Sequence, residues 1–170
     1  PDKAWKTARY GQEWRVGDTI NASIGQGYVL ASPLQLAVMT SRIASGTLVV
    51  PRIIRSINDE EVPIAPVEPL GVEGSKLRAV QMGMYEVMNG SHGTGRGART
   101  VDASMLMCGK SGTAQVRNIS TAERDSGVIK NDNLPWKQRD HARFVAFAPA
   151  EAPRYAVAVV VEHGGGGSAG

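Results

Sequence analysis

A chain of 170 residues is long enough for one domain with one buried core and cramped for two. Hydrophobic residues at 42% and charged residues at 21% form an average globular balance that excludes disorder along the whole length. Lys and Arg exceed Asp and Glu by 19 to 16, a formal charge of +3 spread without a long basic run, so nucleic acid is not a favoured partner.

Cys108 is the only cysteine, which excludes an intrachain disulfide and any cysteine-rich zinc site. The apolar stretch nearest to a membrane span, Tyr155 to Val161, falls far short of the ~20 residues a bilayer needs, and no basic-then-apolar signal peptide opens the chain.

In chain order, Pro1 to Thr19 shows no sustained period and reads as surface connection. Asn21 to Tyr28 follows, where Gly25 and Gly27 suit a tight turn with positive φ. A helix is expected from Ser32 to Ser45: the Ser32 hydroxyl can cap it, Pro33 fits the first turn, Leu34, Ala37, Val38, Ser41 and Ala44 share a stripe, and Gly46 stops it. Thr47 to Ile54 is β-branched and reads as a strand confined by Pro51 to an edge or bulge. Asp59 to Gly74 reads as polar loop.

A second helix is predicted over Ser75 to Asn89, because Leu77, Val80, Met84, Val87 and Met88 recur at helical spacing and Asn89-Gly90 supply an end. Gly90 to Gly97 is too glycine-dense for regular structure. A strand is expected from Ser104 to Cys108, running on through Lys110 to Val116. Asn118 to Asp140 reads as a long loop, functional or mobile. Arg143 to Ala148 and Tyr155 to Val161 read as a hairpin whose second strand is buried on both faces or nearly so, and residues 164–170 as a flexible tail.

Two phosphate-binding patterns fail on context. Gly109-Lys110-Ser111 closes a phosphate-loop pattern only if an apolar extended run can cradle phosphate with its N–H groups, and Gly93-Thr94-Gly95-Arg96-Gly97-Ala98 follows no strand. His92, His141 and His163 lack metal-ligand spacing. Asp18, Asp102 and the Glu60-Glu61 pair read as solvated carboxylates. Lys110-Ser111-Gly112-Thr113, read as a strand, carries a cation and two hydroxyls. A twist or bulge at Gly112 would turn them toward one cleft, where they suit a peptide carboxylate while an exposed edge pairs with the peptide backbone.

Taken together, Gly17 to Tyr28, Ala31 to Ala37, Asn89 with His92-Gly93-Thr94, Lys110-Ser111-Gly112-Thr113-Ala114-Gln115, and the stretch from Phe144-Val145-Ala146-Phe147-Ala148-Pro149 to Val161-Glu162-His163-Gly164 resemble the class B penicillin-binding proteins, in particular their cell-elongation branch. The resemblance covers nearly the whole chain, with its motifs in the family's order. It implies an α+β fold, the C-terminal portion of a β-lactamase-like transpeptidase domain with an antiparallel sheet packed against helices. It also implies a serine D,D-transpeptidase that cross-links peptidoglycan stem peptides.

Of the family's three motifs only Lys-Thr/Ser-Gly is matched, by Lys110-Ser111-Gly112. No serine has lysine three positions on, and Ser56-Ile57-Asn58 has the letters of the Ser-x-Asn motif but falls after Gly25-Gln26-Gly27 instead of before it. The expectation is therefore a fragment cut upstream of Pro1 and after the glycine tail, inactive alone.

By that resemblance Lys110 supplies positive potential for the substrate carboxylate and for proton movement, Ser111 and Thr113 bond that carboxylate, and Gly112 keeps the strand edge open. The Thr113 N–H is one oxyanion donor. The implied partners are the D-Ala-D-Ala stem peptide, β-lactams, the upstream half of the same protein, possibly as a second chain, and, in the intact protein, a SEDS-family glycosyltransferase. No cofactor or metal is implied, and the location is the periplasmic side of an anchored inner-membrane protein. The competing readings are a penicillin-recognising sensor or non-catalytic binding domain of the same fold, a β-lactamase, and an unrelated fold.

Overall fold

The stretch from Pro1 to Thr19, expected to be a surface connection, instead forms most of two short helices, α1 (Lys3–Tyr10) and α2 (Val16–Ser23). The computed structural model describes residues 1–167, and Pro1–Ser32 forms a compact unit of its own. Caps explain helices that periodicity does not reveal. The Asp2 carboxylate accepts the Trp5 N–H at 2.8 Å, and Gly11 closes α1 at φ 63° with its N–H on the Thr7 carbonyl. Asp18 accepts the Arg15 N–H at 2.7 Å and pairs with Lys6 at 2.6 Å. Lys6 is buried, with its ammonium 5.3 Å from the centre of the Tyr28 ring, and Tyr28 also meets Trp5, Tyr10 and Trp14. The Lys6 bond, followed by the Arg15 N–H, holds the Asp18 carboxyl below its ordinary range. Gly25 and Gly27 adopt the expected positive φ, 73° and 66°.

The second unit begins at Pro33. Helix α3 (Pro33–Ser45) ends where expected, at Gly46 with φ 70°. The expected strand over Thr47 to Ile54 does not form. Only Thr47 makes a bridge, to Pro69, and Leu48 donates to the Glu68 carbonyl, after which Pro51 has no N–H to continue a ladder and Ile53 lies fully exposed. The polar stretch beyond contains a short hairpin, β1 (Ser56–Ile57) against β2 (Glu60–Glu61), turning at Asn58 and Asp59 with φ of 50° and 66°.

Helix α4 (Gly74–Asn89) matches its predicted span to within one residue and buries Met84 and Met88. It is tied to α3 by the Gln81 amide, which donates to the Ile43 carbonyl at 2.8 Å. The sheet is antiparallel, in the order β3 (Cys108–Ala114), β4 (His141–Ala148), β5 (Tyr155–Val161). Ser104 and Met105, expected to open β3, belong instead to a turn of 3₁₀ helix over residues 103–105. Met84, Cys108, Val145 and Phe147 make the core, and Leu36, Ile43, Ala44, Tyr85, Ala156 and Ala158 pack on it. This is the α+β arrangement of an antiparallel sheet against helices that was expected.

Strand β5 departs from expectation. It is an edge strand, and Val157, Val159 and Val161 point away from the α3 side and are 44%, 46% and 40% exposed. An apolar run reports what both faces are made of and not what covers them. Among the described residues no helix is long and apolar enough to cross a membrane.

Candidate functional site: the free edge of strand β3

Strand β3 pairs with β4 position by position, from Cys108 opposite Phe147 to Ala114 opposite His141, with none skipped. The bulge considered at Gly112 is therefore absent. Lys110 and Gly112 lie on one face, with Arg143 and Val145; Ser111 and Thr113 lie on the other, with Phe144 and Ala142. Cation and hydroxyls therefore share only the rim of the strand, and among the described residues no strand lies beside that rim, because β3 ends the sheet. Backbone groups of such an edge are available to an extended peptide.

Each site side chain has a definite environment. Lys110 is exposed and donates from Nζ to the Ser111 carbonyl at 2.7 Å. Ser111 is half-buried, with its Oγ 3.2 Å from the Thr94 Oγ1. Thr94 lies in the glycine-rich turn after α4, which packs too closely for larger residues: a Cβ at Gly95 would stand 2.6 Å from the Met88 sulfur. The Asn89 amide donates to the Tyr85 carbonyl at 3.0 Å and to the Met107 carbonyl at 2.9 Å, joining the end of α4 to the entry of β3. Thr113 is exposed; its Oγ1 accepts the Gly167 N–H at 3.4 Å, and its carbonyl accepts from Arg143 Nη2 at 3.3 Å.

The glycine run expected to trail as a flexible tail turns back over the sheet through Gly167; residues 168–170 lie outside the described residues. The His163 N–H donates to His141 Nδ1 at 2.9 Å, and the Gly165 N–H to the Asp140 carbonyl at 2.9 Å. A Cβ at Gly167 would collide with the Gly112 carbonyl, so only glycine passes there. The His163 ring is 4.5 Å from that of Trp136 and 4.7 Å from that of His141.

The segment between β3 and β4, expected to be one long loop, holds helix α5 (Thr121–Ser126) and 3₁₀ turns at residues 131–133 and 136–138. The Ser120 side chain caps α5. Arg117 grips Glu123 with both arms at 2.6 and 2.5 Å. That pairing, with the Ile129 N–H, pulls the Glu123 carboxyl down to about 2. Asp140 closes the neck of the segment, accepting from the Val116 N–H and the Asn131 amide at 3.1 Å each.

The remaining sequence candidates have structural work. Asp102 caps residues 103–105, and the Ser104 hydroxyl and N–H hold its carboxyl below the ordinary range. Glu61 pairs with Arg55 at the surface. Ser56, Ile57 and Asn58 are exposed on the β1–β2 hairpin. Cys108 is buried, and burial, with the charge of Glu151 adding, pushes its thiol up to about 11, so it stays protonated at neutral pH. Gly109-Lys110-Ser111 is extended strand, which rules out a phosphate cradle there. No group of three metal-ligating side chains occurs among the described residues.

Residues 5–170 match the family model described as the penicillin binding protein transpeptidase domain. The chain belongs to that family. It is 39% identical to the peptidoglycan D,D-transpeptidase MrdA of Haemophilus influenzae over 99% of this chain and 26% of the relative, and 34% identical to MrdA of Escherichia coli over 99% and 27%. Among solved structures it is similar to Pseudomonas aeruginosa PBP2 in complex with WCK 5153, with a TM-score of 0.77 and 36% identity over 99% of this chain and 34% of that one. It is also similar to Helicobacter pylori PBP2 in its complex with MreC, with a TM-score of 0.76 and 36% identity over 99% and 28%. The chain thus spans about a quarter of the length of these curated relatives. A residue the family motifs do not point to, Arg143, reaches the site through strand register, which no local sequence signal encodes.

Proposed function

We propose that this chain forms the substrate-binding wall of a serine D,D-transpeptidase that cross-links peptidoglycan stem peptides in cell elongation and is a target of β-lactams. The observation that carries the reading is the outer rim of β3, which bears an exposed lysine on one face and two hydroxyls on the other and which, among the described residues, no strand pairs.

In this reading an extended stem peptide lies along β3. Its terminal carboxylate bonds the Ser111 and Thr113 hydroxyls in the positive potential of Lys110. A serine from a segment outside these residues attacks the carbonyl of the penultimate D-alanine. The C–N bond to the terminal D-alanine breaks, the serine proton passes to the departing amine, and an acyl-enzyme remains until a second stem's amine takes the acyl group. The Thr113 N–H is one oxyanion donor; losing a donor of this kind costs ~3–4 kcal/mol in transition-state stabilisation. The stem peptide, β-lactams, the upstream half that supplies the serine, a SEDS-family glycosyltransferase and a periplasmic, membrane-anchored setting all belong to this proposal.

Labelling with fluorescent penicillin tests it. The chain alone is expected to give no covalent band, and the chain combined with the upstream half of its parent protein is expected to give a band on the upstream half. A covalent band on the isolated chain contradicts the assignment of the nucleophile, and no band in the combination contradicts the transpeptidase reading.

A further inference from the structure

Arg143 stands on β4 directly opposite Gly112, on the face that carries Lys110. Its guanidinium donates from Nη2 to the Thr113 carbonyl, which places it at the substrate end of β3. Among the described residues no carboxylate lies within ion-pair distance of either Arg143 or Lys110. Gly112 leaves the space between them open: a Cβ there would meet nothing nearer than the Arg143 Cβ at 3.8 Å. Lys110 and Arg143 are therefore two uncompensated cations beside the position where Gly112 carries no side chain.

We propose that Arg143 is a second anchor for the carboxylate of the acyl donor, acting beside Lys110 and selecting donors with a free carboxylate over neutral ones. The inference rests on the transpeptidase reading above and adds a residue to its substrate site. A guanidinium suits the role because its planar fork keeps further N–H donors free after one is given to Thr113, and those match the two oxygens of a carboxylate. Lys110 is a point charge on a flexible stem and sets no such direction.

The test uses the intact parent protein and two probes, benzylpenicillin and its methyl ester, with acylation efficiency as the readout. Arg143→Leu is expected to lower the efficiency for the acid by about tenfold or more, as losing a charge-assisted bond does. The ester should change by less than about twofold, so the acid-to-ester ratio collapses. Arg143→Lys, which keeps the charge and loses the fork, is expected to give an intermediate ratio and supplies a second reading if the leucine variant folds poorly. A wild-type ratio in both variants, or an equal fall with both probes, overturns the anchor role and leaves the transpeptidase reading standing. If neither probe acylates the wild-type protein, the transpeptidase reading fails and this inference with it.

Discussion

The same substitution at two glycines of β3, three residues apart, should have opposite consequences. At Gly109 an added Cβ would stand 2.9 Å from Phe144 Cζ and 3.0 Å from both the Met88 sulfur and Phe144 Cε1. Met88 is fully buried and Phe144 half-buried, so the contact can relax only in part. Gly109→Ala then overpacks the contact between α4 and the sheet, at a cost of about 1–3 kcal/mol. For a domain of roughly 150–250 residues that lowers the melting temperature by ~2–12 °C. At Gly112 the nearest atoms to a Cβ are Arg143 Cβ at 3.8 Å and Arg143 O at 4.0 Å, which are ordinary contacts. Gly112→Ala should leave the melting temperature within about 2 °C of the parent, in keeping with a substitution that strains nothing. Its methyl group enters the gap between Lys110 and Arg143, so penicillin acylation should fall several-fold. Calorimetry and labelling of both variants in the intact protein give the comparison. Equal destabilisation by the two, or unchanged acylation in Gly112→Ala, refutes the assignment of which positions pack and which face the ligand.

Asn89→Ala removes both bonds that join α4 to the entry of β3 and leaves the Met107 carbonyl without that donor, so unfolding in urea should show a loss of about 1–3 kcal/mol; an unchanged midpoint contradicts the brace. Glu123, with its folded-state pKa depressed to about 2, stabilises the segment after β3 at pH values above its ordinary range, and that stabilisation is lost as pH falls through the folded value. Amide exchange at Ile129, whose N–H bonds Glu123, should accordingly speed up between about pH 4.5 and 2, and Glu123→Gln should show the fast rate at neutral pH; exchange independent of pH in the wild type, after correction for intrinsic rates, contradicts the clasp.

What the sequence made legible was whatever a local rule encodes. Helix α3 is bracketed by Pro33 and Gly46, α4 shows its period, and the β4–β5 hairpin has its apolar runs and turn residues. The misses have particular causes. Helices α1 and α2 are held by capping carboxylates and by Lys6 beneath Tyr28, contacts between positions too scattered to form a stripe. Helix α5 did carry a signal, Ser120 with Glu123 three residues on, inside a stretch whose polarity read as loop. Thr47 to Ile54 has strand composition, but Pro51 and the lack of a neighbouring strand override it. In the site, Lys110 to Thr113 were legible as a strand with the chemistry of a carboxylate binder. Their division between two faces depends on an unbroken register, and the contributions of Thr94, Arg143 and Gly167 depend on tertiary approach, which spacing along the chain does not contain.

Replacing Lys110 by methionine in the intact protein probes the account most directly, because the residue is exposed, has no carboxylate partner among the described residues and should be dispensable for folding. With the melting temperature unchanged, acylation by labelled penicillin is expected to fall at least tenfold and as much as about a hundredfold, the scale of a lost charge-assisted contact. Acylation at the wild-type rate would contradict the claim that the rim of β3 is where the acyl donor is held.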